Sequence, residues 1–124
     1  MKALVIRRRR YPMTDHERHQ HVEVRDGDRM VAAAEVTTSA WPEGVARASL
    51  RAEAGHIPPG SRASLVDAVL DLPEVRGSAR LEAAVPLGDG ESLDRLRDRC
   101  DEVSTRPAGA SALLDGDIPS GSSD

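Results

Sequence analysis

The stretch Val45-Ala46-Arg47-Ala48-Ser49-Leu50-Arg51-Ala52-Glu53, continued through Ala54-Gly55-His56-Ile57-Pro58-Pro59-Gly60 into Ser61–Leu72, decides how this chain folds. Its first nine residues alternate small or apolar side chains with polar ones, the two-residue period of a half-buried strand. The Pro/Gly turn ends that strand. From Ser61 the period changes: Leu65, Val66, Val69 and Leu70 fall on one side of a helix. That helix takes Gly60 or Ser61 as its N-cap and ends before Pro73. A strand, a turn and a helix start in this order make an anion-binding geometry, because the first helical N–H groups have no partner within the helix.

Upstream, Val22 and Val24 alternate with Glu23 and Arg25 before the turn signal Asp26-Gly27-Asp28. Arg29 to Thr38 reads as the partner strand, and Ser39 to Gly44 turns it back into Val45–Glu53. With this second hairpin centred near Trp41, Val36 faces Ala46, Ala34 faces Ala48 and Ala32 faces Leu50. The other face then sets Glu35 against Arg47 and Arg29 against Glu53. Apolar partners and opposite charges are what an antiparallel pair prefers. The expected core side of this three-stranded meander is Ala32, Ala34, Val36, Ala46, Ala48, Leu50 and Ala52. Trp41 falls in the hairpin tip.

Downstream, Ser78–Val85 reads as a strand with Ala79, Leu81, Ala83 and Val85 inward. Gly88-Asp89-Gly90 breaks the chain, and Asp89 caps a second helix that the pattern Leu93, Leu96, Cys100, Val103 carries through Val103. Cys100 lies on that apolar stripe and reads as a small buried hydrophobe. Asp67 and Asp71, one turn apart on the first helix, read as a solvated face. Ala110–Leu114 is a last short strand. The expected class is α/β (α+β): an antiparallel meander followed by βαβαβ-type units, a mixed sheet and two main helices. Residues 1–20 form an arm, disordered or a short strand; 21–114 form one domain; 115–124 form a disordered tail.

At 124 residues the chain fits one domain. With no Phe, one Trp and one Tyr, its core must be filled by Leu, Val, Ile and Ala. Such a thin core favours a homodimer that buries more surface. The net charge of −4 argues against a dedicated nucleic-acid binder. Arg7-Arg8-Arg9-Arg10, without interleaved aromatics, reads as a solvated edge that discourages strand pairing between molecules, rather than as an arm for phosphates. No apolar run is long enough to span a membrane. The arginines follow the apolar residues Ala3–Ile6, the reverse of a secretory signal, so a cytoplasmic setting is expected. One cysteine permits no internal disulfide.

His16, His19 and His21 cluster near the start. His19 and His21 share a face of a strand, whereas His16 and His19 are neighbours on a helix turn. Imidazoles so spaced can ligate zinc or nickel, with Asp15, Glu17 or His56 completing the shell. A working site needs ligands converging from fixed elements, and one polar leader does not supply them. The expectation is therefore no metal. Gly-x-Ser-x-Gly, a phosphate loop, a dinucleotide fingerprint and Cys-x-x-Cys are all missing from the sequence.

The order strand, strand, strand, helix, strand, helix, strand resembles the central part of the GNAT family of N-acetyltransferases. That family carries Gln/Arg-x-x-Gly-x-Gly/Ala between its fourth strand and third helix, with backbone N–H groups that hold the coenzyme A pyrophosphate. The matching region here is Ile57-Pro58-Pro59-Gly60-Ser61-Arg62-Ala63. Gly60 matches the middle glycine, Ile57 replaces Gln/Arg, Arg62 replaces Gly/Ala, and the two prolines remove donors. The later helix has Arg97 near the position of the family's thiolate-protonating tyrosine. On this resemblance the family's usual first strand and paired early helices are missing or reduced to residues 1–20.

The resemblance covers residues 21–114 and implies acetyl-CoA as cofactor, with Gly60, Ser61, Arg62 and Ala63 as phosphate contacts. Glu53 or Glu35 would be the general base toward an amine. Fold alone does not carry function. The expectation is a non-catalytic binding or homodimerising module, with an acyl-CoA-dependent N-acetyltransferase and a histidine metal protein as alternatives.

Overall fold

The computed structural model describes residues 4–12, 17–39 and 44–119. Seven strands form one sheet: β1 (Leu4–Pro12), β2 (Glu17–Asp26), β3 (Arg29–Ser39), β4 (Val45–Ala52), β5 (Arg80–Pro86), β6 (Asp101–Ala108) and β7 (Ser111–Asp117). Their spatial order is β1-β2-β3-β4-β5-β7-β6. β1 to β4 are an antiparallel meander, β4 and β5 run parallel, and β7 pairs antiparallel with both β5 and β6. The helices are α1 (Ser61–Leu70), the single turn α2 (Pro73–Arg76) and α3 (Gly90–Arg99). The mixed α/β class with two main helices, expected from the sequence, is the class observed.

Alternation sorts the sheet into two faces. Val22, Val24, Ala34, Val36, Leu81 and Leu114 are buried on the face that the helices cover. Leu65, Val66 and Val69 of α1 and Leu96 of α3 join them in one core. The fully buried large side chains are all Leu or Val, so the core is aliphatic throughout. The alanines of β3 leave room for α1 to lie close against the strands. α1 stops where Leu72, extended ahead of Pro73, leaves the helical region. Pro73 then starts α2 at the position where its missing N–H costs nothing.

Several expectations change here. β3 and β4 pair with Val36 opposite Ala48, Ala34 opposite Leu50 and Ala32 opposite Ala52. The register is thus two residues away from the one centred on Trp41. Pairing closes at Ser39 and Val45, which centres the hairpin one residue later than Trp41, and Gly44 at φ +62° accepts the Ala79 N–H at 2.7 Å. A shift of two keeps every side chain on its expected face but changes its partner. Glu35 therefore meets Ser49 rather than Arg47, and Arg29 donates to the His56 carbonyl at 3.1 Å rather than to Glu53.

α3 ends at Arg99, and Cys100 is already extended, so the expected helix through Val103 is too long. Asp101–Val103 and all but the last residue of the expected connection Ser104–Gly109 form strand β6. Ala79 is exposed, and β5 begins at Arg80. β7 continues past Leu114 to Asp117, so the first residues of the expected tail lie in the sheet. Residues 120–124, Asp15, His16 and Trp41 lie outside the described residues.

Candidate functional site

Two places on the sheet gather chemistry. The first is where β4 and β5 part. Their parallel pairing runs from Val45–Arg80 to Ser49–Ala84 and ends there, while β4 continues to Ala52 and β5 to Pro86. A cleft of about 410 Å³ follows, with Glu53, Arg62, Leu87, Asp89 and Glu91 along its walls.

The start of α1 faces this cleft, and its N–H groups are largely spoken for. Gly60 caps it in the left-handed conformation, φ +83°, which a residue with a Cβ takes only with strain. Ser61 donates its N–H (3.2 Å) and its hydroxyl (2.6 Å) to the Pro58 carbonyl. Ser64 N–H bonds Gly60 O at 2.8 Å. Ala63 N–H donates to Glu91 Oε2 at 3.0 Å, so a carboxylate of this same chain takes the place of an anion.

Arg62 Nε stands 3.5 Å from Asp89 Oδ1. Asp89 is the expected cap of α3: it accepts from Ser92 N–H at 3.0 Å and from Ser92 Oγ at 2.8 Å. The cleft thus holds three carboxylates, Glu53, Asp89 and Glu91, against one guanidinium. A pyrophosphate entering as the side chains now stand would have to displace Glu91 and approach two further negative charges. The residues present do not fit that group.

The second place is the face without helices. His19 and His21 extend from β2 on one side of the sheet, toward Glu35 on β3. His19 Nε2 lies 2.9 Å from Glu35 Oε1, and His21 Nδ1 lies 2.5 Å from Glu35 Oε2. The other His21 nitrogen is 3.0 Å from Glu23 Oε1, and Arg25 donates to Glu23 Oε2 at 3.0 Å. An imidazole bonded to a carboxylate through each nitrogen satisfies both bonds only as the doubly protonated cation. Burial alone would lower the His21 pKa; the bonds to Glu23 and Glu35 outweigh it and raise it above the ordinary value. The Glu23 pKa is lowered, first by the His21 bond. Burial opposes the same change at Glu35, and its two histidine partners overcome it.

Next to this network, over β4, β5 and β7, is a cavity of about 420 Å³. Its floor is Ala84 and Leu113, and its rim carries Glu35, Arg47, Glu82 and Arg106. Arg47 is bonded to Glu82 at 2.9 Å.

The residues singled out in the sequence therefore separate. Glu53 and Arg62 line the cleft, with Gly60, Ser61 and Ala63 beside Arg62 at the start of α1. Glu35, His19 and His21 gather on the helix-free face. Among the described residues no group of three or more His, Cys, Asp or Glu side chains is arranged to hold a metal ion. Cys100 is buried in the core, and burial pushes its thiol pKa up. Asp67 is no solvated acid: it accepts from Arg95 Nε and from Arg99 Nη1, both at 2.8 Å, and ties α1 to α3.

Glu91, the residue that fills the α1 terminus, gave no signal in the sequence, because its position in the first turn of α3 explains an acid there already. Glu23 was equally silent as one polar residue of an alternating strand.

No protein-family model and no curated protein sequence matches the chain. Solved structures do. The GNAT domain of S. lividans PAT superposes with a TM-score of 0.58 at 14% identity, over 81% of this chain and 61% of that one. An acetyltransferase of the GNAT family from Streptococcus pneumoniae gives 0.58 at 9% identity, over 82% of this chain and 67% of the other. The fold is GNAT-like. A third match is yncA from Salmonella typhimurium with its cofactor acetyl-CoA, with a TM-score of 0.54 at 11% identity, over 81% of this chain and 64% of that structure.

The GNAT-like chain thus spans less than two thirds of the length of the first of these structures. At such identities the likeness is one of fold, consistent with a turn that keeps only Gly60 of the family's phosphate signature. No helix among the described residues is long and apolar enough to cross a membrane.

Proposed function

We propose that this GNAT-like chain is a cytoplasmic binding module that does not transfer acyl groups, and that its partner is a second copy of itself. The observation that carries the first half is the Glu91 carboxylate on the Ala63 N–H, where a phosphate oxygen would otherwise sit. Asp89 engages Arg62 in the same way, and Pro58 and Pro59 offer no N–H.

The second half rests on the helix-free face. It leaves an aliphatic floor at Ala84 and Leu113 inside a rim of both charge signs, a pattern that can meet its own copy around a two-fold axis. An aliphatic core without large aromatics gains from the added burial.

The alternative is an acyl-CoA-dependent N-acetyltransferase acting on an amine, with acetyl-CoA as cofactor. The parting of β4 and β5 favours it, and Glu53 at the cleft and Glu35 on the helix-free face are its candidate proton acceptors. Calorimetry separates the two readings. The binding module gives no saturable heat with acetyl-CoA or CoA at high micromolar concentration; saturable heat together with acetylation of an amine ends that reading. Light scattering tests the partner: mass should rise toward a dimer with concentration, and a strict monomer throughout would remove the second copy.

A further inference from the structure

We propose that the β1–β2 edge of the helix-free face is an anion site for a phosphate-bearing small molecule, separate from the cleft at α1. β1 is an edge strand, and its register with β2 sets Arg7 opposite Glu23, Arg9 opposite His21 and Tyr11 opposite His19. Arg7, Arg9, Tyr11, His21 and Glu23 line a cavity of about 330 Å³ together with Arg8 and Arg25. Alternate residues of a strand stand roughly 6.6 Å apart, so Arg7 and Arg9 are placed to grip two phosphoryl groups of one ligand.

The charges around the cavity are unequal in a way that favours an anion. Glu23 is already engaged by His21 and Arg25, and Glu35 by both histidines. Arg7, Arg8 and Arg9 make no side-chain hydrogen bond or ion pair with any described residue. Arg10, pointing to the helix side, is by contrast paired with Glu74 at 3.2 Å. Within the run Arg7–Arg10, the arginines without a partner among the described residues are the ones that line this cavity. Protection of an edge strand against pairing accounts for a run of charge. It does not account for the convergence of that charge with a tyrosine and an imidazole on one concavity. The site does not depend on the function proposed above, since its residues touch neither the cleft nor the Ala84–Leu113 floor.

The test is calorimetry of the full chain with inorganic pyrophosphate at low and at physiological salt. Saturable binding is expected, weakened by salt because the attraction is between exposed charges. The double variant Arg7→Gln/Arg9→Gln should weaken it by about tenfold or more, the loss that removing charge-assisted hydrogen bonds brings. Both side chains are exposed, so folding is not at stake. Arg62→Gln, at the cleft, should leave the affinity unchanged. Absence of saturable heat, equal affinity in the double variant, or loss in Arg62→Gln would each overturn the site. So would binding of a single-stranded oligonucleotide by a chain that ignores pyrophosphate.

Discussion

The two faces of the sheet come from the same strands in the same register, yet they divide the work between them. On the helix side Val24, Val36, Leu81 and Val85 are fully buried against α1 and the rest of the core. On the other side Arg47 pairs with Glu82 while the Arg47 side chain stays 62% exposed. Burying one Leu or Val is worth roughly 1.5–3 kcal/mol, whereas an exposed ion pair gives about 0–1 kcal/mol. Stability is carried by one face. The other is thereby free to hold charges, a shared carboxylate and cavities that would be too costly in a core.

The largest effect should come from breaking the buried side. Leu65→Ala or Leu81→Ala removes a fully buried side chain and should cost about 2–5 kcal/mol in urea unfolding. Arg47→Ala on the opposite face should stay within about 0.5 kcal/mol. Equal costs would dissolve the contrast between the faces. Next in size is Gly116→Ala on the buried side of β7. An added Cβ would stand 3.1 Å from Cys100 Cβ, 3.3 Å from Val103 Cγ2 and 3.4 Å from the Asp101 carbonyl. Two of these neighbours belong to β6 and cannot yield freely, so overpacking should cost about 1–3 kcal/mol. Adding Val103→Ala should recover part of the loss, because the two sites share one space.

The buried face was the legible one. A two-residue period survives any even error in register, so Ala34, Val36, Ala48 and Leu50 were placed inward although every β3–β4 partner was displaced by two. Capping chemistry made the starts of both main helices readable, since Gly60 and Asp89 each leave a local mark. Partners across the open face were not readable. Whether Glu35 meets Arg47 or His21 depends on turn length and on a strand pairing, and neither is encoded near Glu35. β6 was missed for a related reason. Its residues Asp101–Ala108 are mostly exposed on an edge strand, so no apolar alternation announces it, and it is entered through Glu102 at a positive φ of 52°. The Glu91–Ala63 bond joins residues 28 positions apart and had no sequence signature at all.

The smallest expected effect lies wholly on the open face and concerns pH. His21 is faced by Arg9 from β1, by Glu23 and His19 on its own strand, and by Glu35 from β3; Arg51 of β4 reaches Glu35 at 3.8 Å. Its pKa is raised from the ordinary 6.5, so its contribution is complete below 6.5 and is lost as pH rises through the higher folded value. Glu23 and Glu35 are lowered from 4.5, so theirs is complete above 4.5 and is lost as pH falls through the lower folded values. The network should therefore stabilise most between about 4.5 and 6.5, and weaken on either side. Glu35 is 37% exposed, and solvent screening should keep the whole effect at about 1 kcal/mol or less. Urea midpoints of the wild type and His21→Gln, measured from acid to mildly alkaline pH, give the check. The wild type should lead in the acid window, and its lead should shrink as pH rises past neutrality. A constant difference across that range would mean that His21 packs against the sheet without carrying a proton between its two carboxylates.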